Sequence, residues 1–424
     1  MRIMVVGGGG REHAIIKCIK RNKSVDKIYA LPGNGGIAED AECVAIGAKE
    51  IDRIVEFAVS NGIDFAVVAP DDPLVLGAVD RLEAEGVKCF GPRANAAIIE
   101  GSKAFSKDLM KRYNIPTAEY EVFTDADKAI KYLQTADMPI VIKADGLALG
   151  KGVIIAESLS EAVSAVKSMM CDKVFGASGN SIVIEEFLTG PEVSVLSFTD
   201  GNIVVPMVSS MDHKRAKDGD KGLNTGGMGA IAPNPYYTDE IAKECMEKIF
   251  MPTVEAMNRE GRTFKGCLYF GLMLTKKGPK VIEYNCRFGD PETQVVLPLL
   301  ESDLLEIMQS VADGELRPEQ VKFKGGAACC VVVASNGYPS KYESGFELTF
   351  PKDRADAFTY VAGAKLSDGK LVTSGGRVLG VVATSDNLDN AVKSAYERVK
   401  GVKFANAYYR NDIGKRALDK LAEK

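Results

Sequence analysis

The first hundred residues alternate between short apolar strand runs and amphipathic helix runs, joined by glycine-rich links. Strands are predicted at Arg2–Val6, Lys27–Ala30, Asp64–Ala69 and Lys88–Phe90, and helices at Glu12–Arg21, Glu50–Asn61 and Leu74–Glu85. Strands separated by helices pair in parallel, and a parallel sheet is covered on both faces. Ligands of such sheets sit beyond the carboxyl ends of the strands. Here those ends carry Gly7–Gly10, Pro32-Gly-Asn34 and Pro70-Asp-Asp-Pro73.

Further along, one helix is expected over Ala94–Tyr113, broken before Pro116. A compact α+β segment follows, with helices Ala126–Thr135 and Leu159–Met170 and strands Ile140–Lys143, Val153–Ala156 and Ser181–Phe187. Longer strands come next at Val193–Phe198, Leu268–Leu274 and Val281–Asn285, flanking a helix from Asp239 to Arg259. After Gly325-Gly326 a last unit is expected, with strands Ala327–Ala334 and Arg377–Thr384 and a helix Asn387–Val399.

Bulk properties narrow the function. A chain of 424 residues can form several cores. Its net charge of −5 argues against a nucleic-acid surface, which would carry a basic excess. The nine cysteines lack CxxC spacing, and several sit in apolar runs such as Ala327-Ala-Cys-Cys-Val-Val-Val333, as buried thiols of a reducing compartment do. Two histidines are too few for a His-rich metal centre. The chain opens directly into a strand and has no apolar run of membrane-spanning length, so a cytoplasmic protein without membrane contact is expected.

Lys280-Val-Ile-Glu-Tyr-Asn-Cys-Arg-Phe-Gly-Asp-Pro-Glu292 carries the strongest chemical signal. Side chains alternate along a strand, so Glu283, Asn285 and Arg287 point one way and Tyr284 and Cys286 the other. A carboxylate, an amide oxygen and a guanidinium on one face suit a hard divalent cation bound to phosphate oxygens. The turn that follows adds Asp290 and Glu292. The bland alternative is a strand edge with solvated charges.

Gly7-Gly-Gly-Gly10-Arg-Glu-His13 follows a strand and opens a helix, the setting of an anion site, with Arg11 as an extra cation. Dinucleotide binding is disfavoured, because Glu12 stands where the fingerprint needs glycine and no acid closes the second strand. A monophosphate on a small sugar fits better; a tight turn with exposed charges also remains open. Lys143-Ala-Asp-Gly146-Leu-Ala-Leu-Gly150-Lys-Gly152 is not a Walker loop. It reads either as a glycine flap over a triphosphate, with Lys143 reaching a phosphate, or as a plain surface hairpin. Ile182-Val-Ile-Glu-Glu-Phe-Leu-Thr-Gly-Pro-Glu192 has an exposed backbone suited to an adenine edge and a carboxylate suited to ribose hydroxyls, or is simply a satisfied strand end. Asp212-His-Lys-Arg215 and Leu223-Asn-Thr-Gly-Gly-Met-Gly229 are polar, glycine-rich loops of the kind that carry function or are merely solvated.

Taken in order, Gly9-Gly-Arg-Glu-His-Ala14, Glu100-Gly-Ser-Lys-Ala-Phe105, Ile142-Lys-Ala-Asp-Gly-Leu-Ala148, Ile184-Glu-Glu-Phe-Leu188, Asp212-His-Lys-Arg215, Asn224-Thr-Gly-Gly-Met-Gly-Ala230, Arg287-Phe-Gly-Asp-Pro-Glu292 and Ser374-Gly-Gly-Arg-Val378 resemble the ATP-grasp superfamily and, within it, the glycinamide ribonucleotide synthetase family. The resemblance runs essentially end to end. It implies an α/β chain with an ATP-grasp fold, an N-terminal parallel-sheet (pre-ATP-grasp) domain over 1–102 and an ATP-grasp domain over 103–322. Within the latter it implies a mobile α+β lid near 120–188, and after it a small β-rich C-terminal domain over 323–424.

For the sites it implies that Lys103, Lys143 and the loop of Gly146, Gly150, Lys151 and Gly152 hold ATP phosphates. Glu185, Glu186, Phe187 and Leu188 would meet the adenine, and Glu192 the ribose. Glu283 and Asn285 would carry Mg²⁺ or Mn²⁺. The substrate side would comprise Gly9, Gly10, Arg11, Glu12, Asn34, Asp71, Asn224, Thr225, Gly226, Asp290 and Arg377, with Arg287, Asp212 and Lys214 serving the chemistry. The implied activity joins glycine to 5-phosphoribosylamine with ATP, in a monomer. Gly8 stands where relatives often have Asn, and Asp71-Asp72 stands where Glu-Ala is more usual before Pro73. Leu268-Tyr-Phe-Gly-Leu-Met-Leu274 offers no second metal carboxylate. A nicotinamide oxidoreductase, a non-catalytic nucleotide sensor and a ligase for another amine are the alternatives.

Overall fold

The computed structural model describes residues 1–147 and 152–423. Its N-terminal sheet is all parallel, in the order Glu42–Cys43, Lys27–Pro32, Arg2–Gly7, Phe65–Val68, Lys88–Phe90. Ile3 to Val6 on the middle strand are fully buried, because helices cover both faces. Two expected helices are each divided. Leu74–Glu85 becomes Asp71–Val75 and Ala78–Ala84, parted at Gly77, whose φ of +83° suits only glycine. Ala94–Tyr113 becomes Ala94–Gly101 and Lys103–Arg112, because Ser102 leaves the helix and its hydroxyl caps Phe105 N–H at 3.1 Å. The restart puts Lys103 and Lys107, four residues apart, on one helix face.

A four-stranded antiparallel sheet follows in space, ordered Val204–Pro206, Glu192–Thr199, Gly266–Thr275, Gly278–Asn285. Gly271 opposes Glu283 while Leu272 opposes Val281, so Ile282 is an extra, bulged residue. The bulge lets Val281 and Tyr284 both enter the core, leaving Glu283 and Asn285 on the opposite face. This core is continuous with one side of the N-terminal sheet: Met4, Val6 and Leu31 share a cluster with Phe250, Phe270 and Tyr284.

The α+β segment is a separate layer with its own core of Leu133, Ile142, Val166, Met169 and Ile184. Its sheet runs Tyr120–Phe123, Ile182–Glu186, Ile140–Ala144, Val153–Ala156. The edge strand Tyr120–Phe123 escapes sequence reading because its middle residues, Glu121 and Val122, are both exposed and break the alternation.

The last sheet is ordered Met211–Asp212, Gly229–Ala232, Ala327–Ser335, Arg377–Ser385, Ala357–Val361, with Ala407–Tyr408 pairing the end of Ala327–Ser335. Two of its strands thus come from before residue 323. Two buried histidines tie it to its surroundings. His13 Nδ1 accepts Val361 N–H at 2.8 Å while Nε2 lies 3.2 Å from Asp40. His213 Nε2 accepts Gly414 N–H at 3.2 Å while Nδ1 faces Gly229 O at 3.3 Å.

Burial lowers the His13 pKa against the pull of Asp40, and takes that of His213 to about 4. Free histidine titrates near 6.5, so below that pH the unfolded chain binds protons that the fold refuses, and stability falls toward pH 4. Between pH 7 and pH 5 the wild type should lose about 2 kcal/mol more than His213→Gln, measured by chemical denaturation. Equal losses would show that His213 is not held neutral.

Candidate active site

The bulged strand and the turn after it form the floor of the site. The Glu283 carboxylate is held down to about 2, first by Lys214 and then by Lys143, Lys103 and Arg287. Lys214 Nζ lies 3.4 Å from Glu283 and 3.6 Å from Glu192, and Glu283 in particular keeps that ammonium protonated. Asn285 Oδ1 accepts from Arg287 Nη2 at 3.0 Å. Arg287 Nη2 also donates to Glu100 at 2.9 Å, and the second Glu100 oxygen accepts Cys286 N–H at 2.7 Å. Glu100 therefore aims Arg287, while Arg287 Nε stays buried and unpartnered among the described residues. Glu100 was missed as a functional residue; its only signal was its place beside Gly-Ser-Lys103.

Above this floor, the helix Lys103–Arg112 and the α+β layer meet through lysines. Lys103 Nζ donates to Gly146 O at 2.8 Å, and burial lowers its pKa. Asp145 accepts Ser102 Oγ–H and Ala104 N–H, each at 3.1 Å, which fastens the start of the glycine loop to the helix N-terminus. Lys143 Nζ donates to the carbonyl of the bulged Ile282 at 3.0 Å. It is also 3.0 Å from both oxygens of Glu185, aligned for a hydrogen bond only to Oε2. Lys107, which the sequence reading passed over, lies 3.0 Å from the same Oε2. Glu186 turns outward to Lys280 at 2.6 Å, and Phe187 and Glu192 are exposed beside the cleft, with Leu188 half-buried between them. Gly152 O accepts Ala144 N–H at 2.8 Å, whereas the expected ligands Gly150 and Lys151 lie outside the described residues.

The N-terminal glycine turn is built from inside. Gly7 has φ +121°, and a Cβ there would meet the Glu12 side chain at 2.6 Å. Glu12 is buried, and its two oxygens accept Gly9 N–H at 2.6 Å and Arg11 Nε–H at 2.7 Å. Arg11 also donates to Phe288 O at 3.1 Å, and its N–H to Asp290 at 3.3 Å. Gly10 sits against Gln294. Asn34 uses both ends of its amide: Oδ1 accepts Gly36 and Ile37 N–H, and Nδ2 donates to Gly8 O and Val361 O. Glu12 and Asn34 thus spend their polar atoms on the loop's shape. Burial works to raise the Asp71 carboxyl, but Arg287 and Arg11 hold it below its ordinary value.

The C-terminal sheet supplies the remaining wall. Asp212 closes its first strand; burial and then Glu292 push its carboxyl well up, and Oδ1 has no hydrogen-bond partner among the described residues. Glu292 itself accepts from Tyr269 OH at 3.0 Å. Asn224 ends the hairpin strand opposite Arg215, and Thr225 Oγ1 donates to Lys214 O at 2.8 Å. Arg377 Nη1 donates to Gly226 O and Asp290 O, each at 2.7 Å, and lies 3.2 Å from Asp290 Oδ1. Tyr338, also unanticipated, accepts Gly226 N–H at 3.0 Å. The structure thus brings together the expected residues at 212–226, 283–290 and 377, with the glycine turn on one flank and the lysines on the other.

Comparison with known proteins finds similarity along almost the whole chain. Models of the Phosphoribosylglycinamide synthetase N domain, ATP-grasp (A) domain and C domain match residues 1–100, 101–293 and 328–416. The Phosphoribosylamine–glycine ligase of Caldanaerobacter subterraneus subsp. tengcongensis is 48% identical over 97% of this chain and 99% of its own. A crystal structure of Phosphoribosylamine–glycine ligase from Thermotoga maritima superposes with TM-score 0.85 at 33% identity, covering 97% of this chain and 100% of that one. The biotin carboxylase domain of the Hydrogenobacter thermophilus 2-oxoglutarate carboxylase, crystallised with MgADP, shares the fold at TM-score 0.75 and 17% identity, covering 96% and 91%.

Replacing Glu12 by Ala leaves the Gly9 N–H and the Arg11 side chain without their acceptor. The expected cost is about 1–3 kcal/mol of stability, read by chemical denaturation. A variant as stable as the wild type would mean that the turn does not depend on Glu12.

Proposed function

The chain belongs to the phosphoribosylglycinamide synthetase family, and from that membership we infer that it ligates glycine to 5-phosphoribosylamine with ATP. The products are glycinamide ribonucleotide, ADP and phosphate, formed through glycyl phosphate in purine biosynthesis. One observation of the site carries the reading. A fully ionised carboxylate, Glu283, stands among Lys214, Lys143, Lys103 and Arg287, a charge pattern suited to polyphosphate and carboxylate ligands.

A divalent cation, Mg²⁺ or Mn²⁺, fits Glu283 and Asn285, one ionised carboxylate and one amide oxygen on the same strand face. Such ions commonly take one or two protein ligands and complete their shell with phosphate oxygens and water. Among the described residues no group of three or more His, Cys, Asp or Glu forms a closed metal cage. When bound, the cation neutralises developing phosphate charge.

The protein's own groups position and exclude. Lys103 and Lys143, with Gly146, Gly150, Lys151 and Gly152, are proposed for the ATP phosphates. Glu185 to Leu188 would take the adenine and Glu192 the ribose. Gly9, Gly10, Arg11, Asp71, Asp290 and Arg377 are proposed to receive phosphoribosylamine on the turn that Glu12 and Asn34 shape, with Asn224, Thr225 and Gly226 lining the approach. A glycine carboxylate is a poor electrophile; phosphorylation gives it a leaving group, and the amine then attacks. Arg287 would steady the transferring phosphoryl or the glycine carboxylate, beside Lys214 and Asp212. The layer at 120–188 would cover the acyl phosphate, which water otherwise hydrolyses.

We also propose a cytoplasmic monomer without nucleic-acid partners. Its chain divides by role into 1–102, 103–322 and 323–424, with Met211–Asp212 and Gly229–Ala232 lent to the last sheet.

ADP release should require both glycine and freshly generated phosphoribosylamine; a folded sample that releases none with both present would overturn the activity. Arg287→Ala should reduce turnover at least about a hundredfold, the scale of one lost charge stabiliser. Near-normal turnover would remove Arg287 from the chemistry.

A further inference from the structure

Glu185 lies between two lysines that come from different layers. Lys143 reaches it along the neighbouring strand, and Lys107 reaches it from the helix Lys103–Arg112, with Nζ 3.0 Å from Glu185 in both cases. All three side chains are at most 5% exposed. Lys107 also donates to Thr117 Oγ1 at 2.8 Å and Ala118 O at 3.4 Å, where the chain enters the α+β layer, and Thr117 Oγ1 donates onward to Val281 O at 2.7 Å. Burial brings the Lys107 ammonium down to about 8, so it remains charged at neutral pH. The cluster therefore holds two positive charges and one negative charge out of water.

We propose that Lys107 is a positioning residue for the nucleotide: it neutralises Glu185 from behind, so that the charge of Lys143 is left over for a phosphate. Without Lys107, Lys143 and Glu185 form a neutral pair, and the share of the attraction for an anion that Lys143 supplies disappears, leaving that of Lys103 and the loop. A lone buried lysine–glutamate pair gives no reason for a second lysine, whose burial is costly. A surplus charge that must meet an anionic ligand does. The proposal rests on the assignment of Lys143 to the ATP phosphates.

The test is calorimetric titration of ADP with Mg²⁺ into folded wild type, Lys107→Met, Lys143→Met and the double variant Lys107→Met/Glu185→Gln. Lys107→Met should weaken binding at least about tenfold, the scale of one modest Coulomb contact. The double variant restores the net charge of +1 on Lys143 and leaves the backbone at 185, to which the adenine edge is assigned, in place. It should recover to within about threefold of wild type, a rescue that a merely structural lysine would not give. Where Lys107→Met does not fold, Lys107→Gln, which keeps a polar end for Thr117 and Ala118, takes its place in both variants. Unchanged binding without Lys107, or a double variant as weak as the single one, overturns the proposal. If Lys143→Met binds as wild type does, the phosphate assignment itself fails. If it binds weakly while the Lys107 variant does not, only the role of Lys107 is lost.

Discussion

Ile282 has no partner across the sheet, and the geometry of the site follows from that. On an unbroken strand Val281 and Glu283 would share a face, so an apolar core residue and the central carboxylate would compete for one side. The bulge shifts the phase: Val281 and Tyr284 stay in the core with Phe250 and Phe270, and Glu283 and Asn285 face the cleft. It also frees a carbonyl from the ladder, and the Lys143 ammonium takes it. One inserted residue thus aims the carboxylate and amide of Glu283 and Asn285 and anchors the lysine of the layer above.

Around that floor the protein concentrates like charge, which it can do only because each cation has a fixed counter-group. Arg287 leans on Glu100, Lys214 on Glu283, Arg377 on Asp290 and on backbone carbonyls, and Arg11 on Glu12. Apart from Arg11 and Glu12, which are neighbours on one helix, each cation and its partner come from elements far apart in the chain. Packing these sheets together and assembling the site are therefore the same event. The phosphate ligand proposed above would complete a balance of charge that the fold leaves open, a form of preorganisation that costs little at the moment of reaction.

Much of this was legible in the sequence, because strand–helix alternation and period-two patterning are local signals. The parallel N-terminal sheet and the Glu283–Asn285–Arg287 face could be read from spacing alone. The divided helices could not: Ser102 and Gly77 break helices that periodicity joins, and only capping and a positive φ mark the breaks. The bulge was also hidden, since the sequence carries no sign of an unpaired residue. Glu100, Lys107 and Tyr338 went unrecognised for a common reason. Each acts through a contact distant in sequence, to Arg287, Glu185 and Gly226, and pattern reasoning has no access to such pairs. Conversely, Glu12 and Asn34 were legible as special polar residues, but which way their atoms point became visible only in three dimensions.

The last sheet takes Gly229–Ala232 as the neighbour of Ala327–Ser335, across almost a hundred intervening residues of chain. It therefore has no seam at which evolution or an engineer can cut. A fragment ending before the final unit would bare the flank of Gly229–Ala232, and a fragment starting there would bare the flank of Ala327–Ser335. Unpaired flanks of this kind invite pairing between molecules. A unit stitched into its host in this way cannot be separated by one cut between its strands without leaving both pieces an open edge.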